Sequence, residues 1–209
     1  MPEPLHIAAL RQTSPECVTV VLSNGEEIPS AVAVIAQLRL YRGLALDDEK
    51  LEALKSASAL ALLKTKALEL LSKRPMSAQE LFKKLTEKGA EEQAAAACVR
   101  WLLDQRLLDD ESYAAAVARH YAAKGYGPGR IRQELSRRGV PREYWDEAIE
   151  QRPDNTEKID KLIRARLHDP DDRDEVRKVT AALFRRGYDW EQIREALARF
   201  RAEPETEDA

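Results

Sequence analysis

Apolar residues recur every three or four positions from about Ser56 onward, whereas the first third of the chain lacks this rhythm. Cys17–Leu22 is short and rich in β-branched residues. Ser23-Asn24-Gly25 and then Glu26–Ile28 follow it, and an Asn-Gly pair between strand-like runs predicts a hairpin. Leu5–Leu10 can supply a further strand, and Pro29 is expected to end the second arm. Ser30–Tyr41 reads as helical, and Asp47 or Asp48 can cap a helix across Glu49–Leu54. Residues 1–55 therefore read as a small β-hairpin module with one or two helices.

The helical remainder is internally repeated. Gly89, Gly139 and Gly187 lie 50 and 48 residues apart. Eight residues before each stand Leu81, Ile131 and Val179; four before, Leu85, Leu135 and Leu183; six after, Ala95, Trp145 and Ile193; ten after, Val99, Ile149 and Leu197. Steps of four keep side chains on one helical face. Each unit thus places a helix before a glycine turn and another after it, and glycine suits the left-handed residue that ends a helix. Ser77-Ala78-Gln79-Glu80 forms a capping box, with Met76 and Leu81 as its staple. Gly127 and Pro128 hold the same place in the second unit. In the third, Asp171, Asp172 and Asp174 are expected to cap a longer helix, and Pro141 and Asp189 mark helix starts after the turns.

Leading helices at Leu60–Ser72, Glu111–Ala123 and Glu157–Leu167 complete the units. Tyr113, Val117 and Tyr121 share one stripe, and Trp101, Trp145 and Trp190 are expected in the core. The predicted fold is mainly α: three tandem three-helix bundles (56–108, 109–153 and 154–202) in a helical-repeat array behind the N-terminal module. An acidic, disordered tail is expected at 203–209.

Charge changes this picture more than bulk composition does. The chain carries a formal net charge of -3, which argues against a general nucleic-acid coat. The window 119–142, however, holds seven Lys or Arg and a single acid. Cys17 and Cys98 form neither a disulfide framework nor a zinc motif, which fits a reduced, cytoplasmic setting. MPEPLHIAAL lacks the pattern of a secretory leader, and no apolar run is long enough to span a bilayer. Gly125-x-Gly127-x-Gly129 lacks the Gly-Lys-Ser/Thr ending of a phosphate loop and follows no strand, so a helix–helix turn is expected. The acids Asp169, Asp171, Asp172, Asp174 and Glu175 miss the EF-hand pattern and read as caps. His6, His120 and His168 are scattered. No catalytic constellation, metal site or cofactor motif is expected.

The stretch Gly125-Tyr126-Gly127-Pro128-Gly129-Arg130-Ile131-Arg132-Gln133-Glu134-Leu135 resembles the signature of the RecX family. Leu107–Ala114 resembles that family's link between its first and second units, and Ser77–Gly89 resembles its first unit. The similarity spans roughly residues 60–200, and the N-terminal module resembles that of longer members more weakly. The resemblance implies a non-enzymatic regulator that binds the RecA recombinase filament on single-stranded DNA. It implies inhibition of filament growth, ATP hydrolysis, strand exchange and co-protease activity toward the LexA repressor. Such a protein is expected to be a monomer away from membranes, with direct single- or double-stranded DNA binding weak and secondary. The residues expected to meet filament or DNA are Lys84, Lys88, Arg119, Lys124, Tyr126, Arg130, Arg132, Arg137, Arg138, Arg185 and Arg186. The same arginines can instead solvate helix faces or offset helix dipoles, and Tyr126 can stack on a partner or pack internally. The alternative function is a helical-repeat module that binds nucleic acid directly.

Overall fold

A computed structural model describes residues 4–202; the acidic 203–209 segment lies outside them. The chain divides into two compact units, Met1–Pro75 with Leu81–Leu108 and Met76–Glu80 with Asp109–Ala209.

In the first unit, β1 (Ile7–Gln12), β2 (Cys17–Leu22) and β3 (Glu27–Ala31) form an antiparallel sheet in that order. The hairpin turns where expected: the amide of Glu26 donates to Asn24 Oδ1 at 2.9 Å, and Gly25 takes φ +87°. Pro29 does not end the second arm but sits inside β3, opposite Thr19. Its tolerance follows from register. The Val32 amide donates to the Glu16 carbonyl and the Leu22 amide to the Glu26 carbonyl. Bonded positions alternate, so Pro29 falls on an unbonded one, where β2 asks for no N–H.

The helix expected over Ser30–Tyr41 shortens to α1 (Val32–Gln37). Ser30 stays in the strand because its buried hydroxyl accepts from Ser58 Oγ at 2.8 Å, and Arg39 breaks the far end at φ +50°. α2 (Asp48–Lys73) starts where Asp47 caps the Lys50 amide at 2.8 Å and runs unbroken for 26 residues. No break falls at residue 55, because Ala, Leu, Lys and Glu dominate the segment and it holds neither Gly nor Pro. Leu54 near its start is buried with Ile7, Val20, Leu22 and Ile28 of the sheet. Further along, α2 packs on α4 (Glu92–Asp104), and Lys64 Nζ lies 4.1 Å from the Trp101 ring centroid.

α3 (Ala78–Glu87) opens on the predicted cap, with Ser77 Oγ accepting from the Glu80 amide at 3.1 Å and Met76 and Leu81 both buried. In the second unit, α5 (Asp110–Ala123), α6 (Pro128–Arg137) and α7 (Trp145–Glu150, entered through a short 3-10 turn) enclose Val117, Ile131, Leu135 and Ile149. α8 (Thr156–Arg164), α9 (Arg173–Arg185) and α10 (Trp190–Ala202) enclose Ile163, Val179, Leu183 and Ile193 in the same way.

The repeat register holds at atomic detail. The amides of Ala90, Val140 and Tyr188 donate to the carbonyls of Leu85, Leu135 and Leu183 at 3.0, 3.0 and 3.2 Å. Each bond closes a helix end over a glycine of positive φ. In the third bundle α9 does start on an aspartate cap: Asp172 Oδ1 accepts from the Asp174 and Glu175 amides at 2.8 and 3.3 Å.

Trp190 corrects the expectation for the tryptophans. Trp145 packs against its bundle core and donates from Nε1 to the Val140 carbonyl at 2.9 Å. Trp190, the first residue of α10, is 58% exposed, since its position falls outside the Ile193–Ala196 stripe that faces α8 and α9.

Candidate partner-binding surface

The family-like segment folds as the joint between two bundles. After α5 ends at Gly125 (φ +75°), Gly127 caps α6 and Pro128 takes the first helical position. The Gly127 amide donates to the Arg186 carbonyl and the Gly129 amide to the Gly187 carbonyl, both at 2.8 Å. A Cβ on Gly127 would lie 2.6 Å from the Gly187 oxygen, and one on Gly187 would lie 2.1 Å from the Arg130 nitrogen. These glycines are therefore required by backbone-to-backbone contact. Asn155, buried beside them, donates from Nδ2 to the Tyr126 carbonyl at 3.0 Å and to the Tyr188 hydroxyl at 2.9 Å. Burial pushes the Tyr188 phenol up to about 12.

The same contact recurs one bundle earlier. The turn at Arg138-Gly139 seats on the first turn of α3, where Ser77 Oγ donates to the Arg138 carbonyl. A Cβ on Gly139 would come within 2.6 Å of Gln79 Oε1. The Ala78 amide donates to Asp110 Oδ1 at 2.9 Å.

Among the predicted contact residues, the structure separates cations held by this chain from cations open to solvent. Glu134, the one acid of the basic window, is buried with its side chain 5% exposed. Arg137 donates to its carboxylate twice, at 3.0 and 2.8 Å, and Arg130 lies 3.0 Å away. Arg138 Nε sits 3.9 Å off, while its NH1 donates to the Tyr113 hydroxyl at 2.7 Å. Burial alone would raise the Glu134 pKa, but hydrogen bonds from Arg137 and Tyr121 and the charges of Arg137 and Arg130 hold it below the ordinary value.

Arg132 pairs with Asp146 at 3.2 Å on the surface. Arg186 donates to the carbonyls of Lys124 and Gly125 at 3.4 and 3.3 Å, and Lys158 Nζ donates to that of Ala123. Two cations thus satisfy the exposed end of α5. Tyr126 is half-buried, its ring centroid 5.7 Å from the Arg186 guanidinium, 6.0 Å from that of Arg130 and 5.6 Å from the Tyr121 ring.

Among the described residues, Lys88, Arg119 and Arg185 are exposed without an ion pair, and half-buried Lys84 also lacks one. Exposed Lys124 makes only a 6.0 Å approach to the Tyr121 ring. Lys84 and Lys88 belong to the first unit and the rest to the second.

The acidic stretch is occupied by backbone. Asp169 Oδ1 accepts from the Asp171 amide at 2.8 Å, and Glu175 Oε2 accepts from the His168 and Asp169 amides at 2.7 and 3.3 Å. No group of three or more His, Cys, Asp or Glu among the described residues is placed to hold a metal. No helix among them is long and apolar enough to cross a membrane.

Sequence reasoning did not single out Glu134 as a hub or Asn155 as a clasp. Glu134 was findable: it stands four residues after Arg130 and three and four before Arg137 and Arg138, all helical-neighbour spacings. Asn155 acts through residues 29 and 33 positions away, which spacing cannot show.

Comparison with known proteins agrees with this arrangement. Residues 64–102, 109–149 and 154–197 match the first, second and third three-helix domains of RecX. The regulatory protein RecX of Xanthomonas axonopodis pv. citri is 41% identical over 134 residues, covering 63% of this chain and 83% of the relative. That of Vibrio campbellii is 36% identical over 143 residues, covering 65% and 89%. A crystal structure of regulatory protein RecX superimposes with a TM-score of 0.76 at 26% identity, covering 93% of this chain and 99% of that one. This likeness reaches beyond the three matched segments into the N-terminal module. RecX from Lactobacillus salivarius, at 23% identity, shares the fold with a TM-score of 0.64 over 70% of this chain and 99% of that one. Three matched bundles in the family's order, on a chain that covers most of its relatives' length, establish that this protein belongs to the RecX family of regulatory proteins.

Proposed function

We propose that this chain binds the RecA recombinase filament on single-stranded DNA as a monomeric, non-enzymatic, cytoplasmic regulator. In this reading it restrains filament growth, ATP hydrolysis, strand exchange and co-protease activity. Residues 56–108, 109–153 and 154–202 act as successive contact modules. The observation that carries the reading is the joint repeated at Arg138-Gly139 and Arg186-Gly187, each seated on the helix start of the preceding repeat. Modules joined by one recurring contact suit a polymer that repeats its own binding sites, because linked weak contacts gain through effective concentration.

Exposed Arg119, Lys124 and Arg185 are the contact residues best placed to reach a partner, with Lys84 and Lys88 serving the first repeat. Arg130, Arg137 and Arg138 contribute chiefly by organising α6 around Glu134.

The test is single-stranded-DNA-dependent ATP hydrolysis by purified recombinase, titrated with this protein. Inhibition at substoichiometric to equimolar ratios is expected, weakened by Arg119→Glu, Lys124→Glu and Arg185→Glu together. Hydrolysis unchanged up to equimolar protein would remove the reading. The unpaired exposed cations also favour a second reading, direct nucleic-acid binding. Tight, salt-sensitive binding of labelled single-stranded DNA without recombinase would select it.

A further inference from the structure

The third bundle carries a groove of about 570 Å³ along α9 and α10 that is assigned to neither joint. At one end Phe184 and Trp190 stack with ring centroids 6.2 Å apart and planes 9° from parallel, yet they are 48% and 58% exposed. Val176, Thr180 and Ala181 line its floor. At the other end stand Arg173, Arg177 and Arg201, with Asp171 as the lining acid. Positions 173, 177, 181 and 184 follow helical spacing, so one stripe of α9 passes from cationic to aromatic.

We infer that this groove is a docking surface for a short acidic peptide segment of a partner protein, one that carries an aromatic or bulky aliphatic side chain beside its acids. The aromatic pair offers an apolar platform of the kind that anchors interfaces. The guanidiniums match carboxylates in charge and in forked geometry. Arg173 makes no ion pair among the described residues. Arg177 makes only an exposed pair with Asp174 at 3.1 Å, of the kind that water and salt weaken. Arg201 spends one N–H on the Pro170 carbonyl at 3.0 Å and keeps others.

Spacing narrows the ligand. Seven helical residues separate Arg177 from Phe184, about 10 Å of rise. An extended peptide covers that in about three residues, so its acids stand about three positions from its apolar anchor. The inference does not depend on the recombinase reading.

The test uses the full chain and two synthetic probes, Asp-Glu-Asp-Ser-Gly-Phe-Leu and its reversed sequence, both end-blocked, titrated by calorimetry. Saturable binding of at least one is expected, with Kd below about 1 mM. Phe184→Ala, Trp190→Ala and the pair Arg173→Glu with Arg177→Glu should each weaken it about tenfold or more, while Lys66→Glu, at an exposed position of α2, leaves it unchanged. Should an aromatic variant unfold, the arginine pair on the exposed stripe still decides. No saturation by either probe, or equal affinity for the variants, overturns the inference. So does an oligothymidine of equal charge that binds tighter and displaces the peptide. Binding that emerges only after deletion of residues 203–209 would assign the groove to the chain's own acidic segment and overturn an external partner.

Discussion

The Gly127 amide donates to the Arg186 carbonyl across 2.8 Å, and a side chain on Gly127 would meet the Gly187 oxygen at 2.6 Å. Gly187 must be glycine twice over, for its φ of +87° and for the Arg130 backbone against it. Gly89 shares the positive φ but faces open space. Gly89→Ala should therefore cost about 1 kcal/mol. Gly187→Ala should cost about 3 kcal/mol or more, because conformational strain adds to overpacking of backbone. Thermal unfolding of the two variants separates these terms, and equal losses would mean that the joint yields freely.

Glu134 sets an acid-side limit. Its carboxyl is held below the ordinary value of 4.5, so the folded state favours its charged form. The contribution is fully present above that value and is lost as pH falls through the depressed pKa. Glu134→Gln should cost about 1–3 kcal/mol near neutrality and should flatten the stability loss in the acid range. Denaturant titrations from neutral to acid pH check both.

Asp110 behaves with opposite sign. Burial, aided by the charge of Asp109, raises its pKa above 3.8 against the hydrogen bond from the Ala78 amide. The charged form is thus a cost above the raised pKa, relieved as pH falls through it. Asp110→Asn keeps an acceptor for Ala78 without the charge and should leave stability at neutral pH equal or higher. Asp110→Ala orphans that amide and should cost about 1–2 kcal/mol. Equal destabilisation by both variants would contradict this account.

Trp145→Ala should cost about 3–5 kcal/mol, since it strips a core contact and frees the Val140 carbonyl. Trp190→Ala should cost under about 1 kcal/mol, as surface changes do. Melting curves of the two single variants, read side by side, test the distinction.

What the sequence made legible follows from the range of each interaction. The Asp47 and Asp172 caps, the Ser77 cap and the Asn24-Gly25 turn are settled within four residues, and all are where pattern placed them. The repeat was legible because one turn chemistry recurs at three glycines. Ser30 misled because its hydrogen-bond partner, Ser58, stands 28 residues away. Trp190 misled because helical spacing among aliphatic residues does not tell which face of α10 those residues claim. The basic window pointed to a partner surface, but charge counting could not tell Arg137, bound to Glu134, from Arg185, which is not.

The Asp172 cap sets the third bundle apart from the first two. At the first two helix starts a donor meets the incoming turn, the Ser77 hydroxyl or the Gly127 amide, and each gives a proton to an arginine carbonyl. The third helix start shows carboxylates instead, Asp172 at the cap and Glu175 in register with Ser77 and Gly127. An ionised carboxylate has no proton to give, and its charge repels a carbonyl oxygen. A turn carbonyl that meets Ser77 or Gly127 finds a proton there and would find none on Glu175, so the joint is selective for the residue that starts the helix.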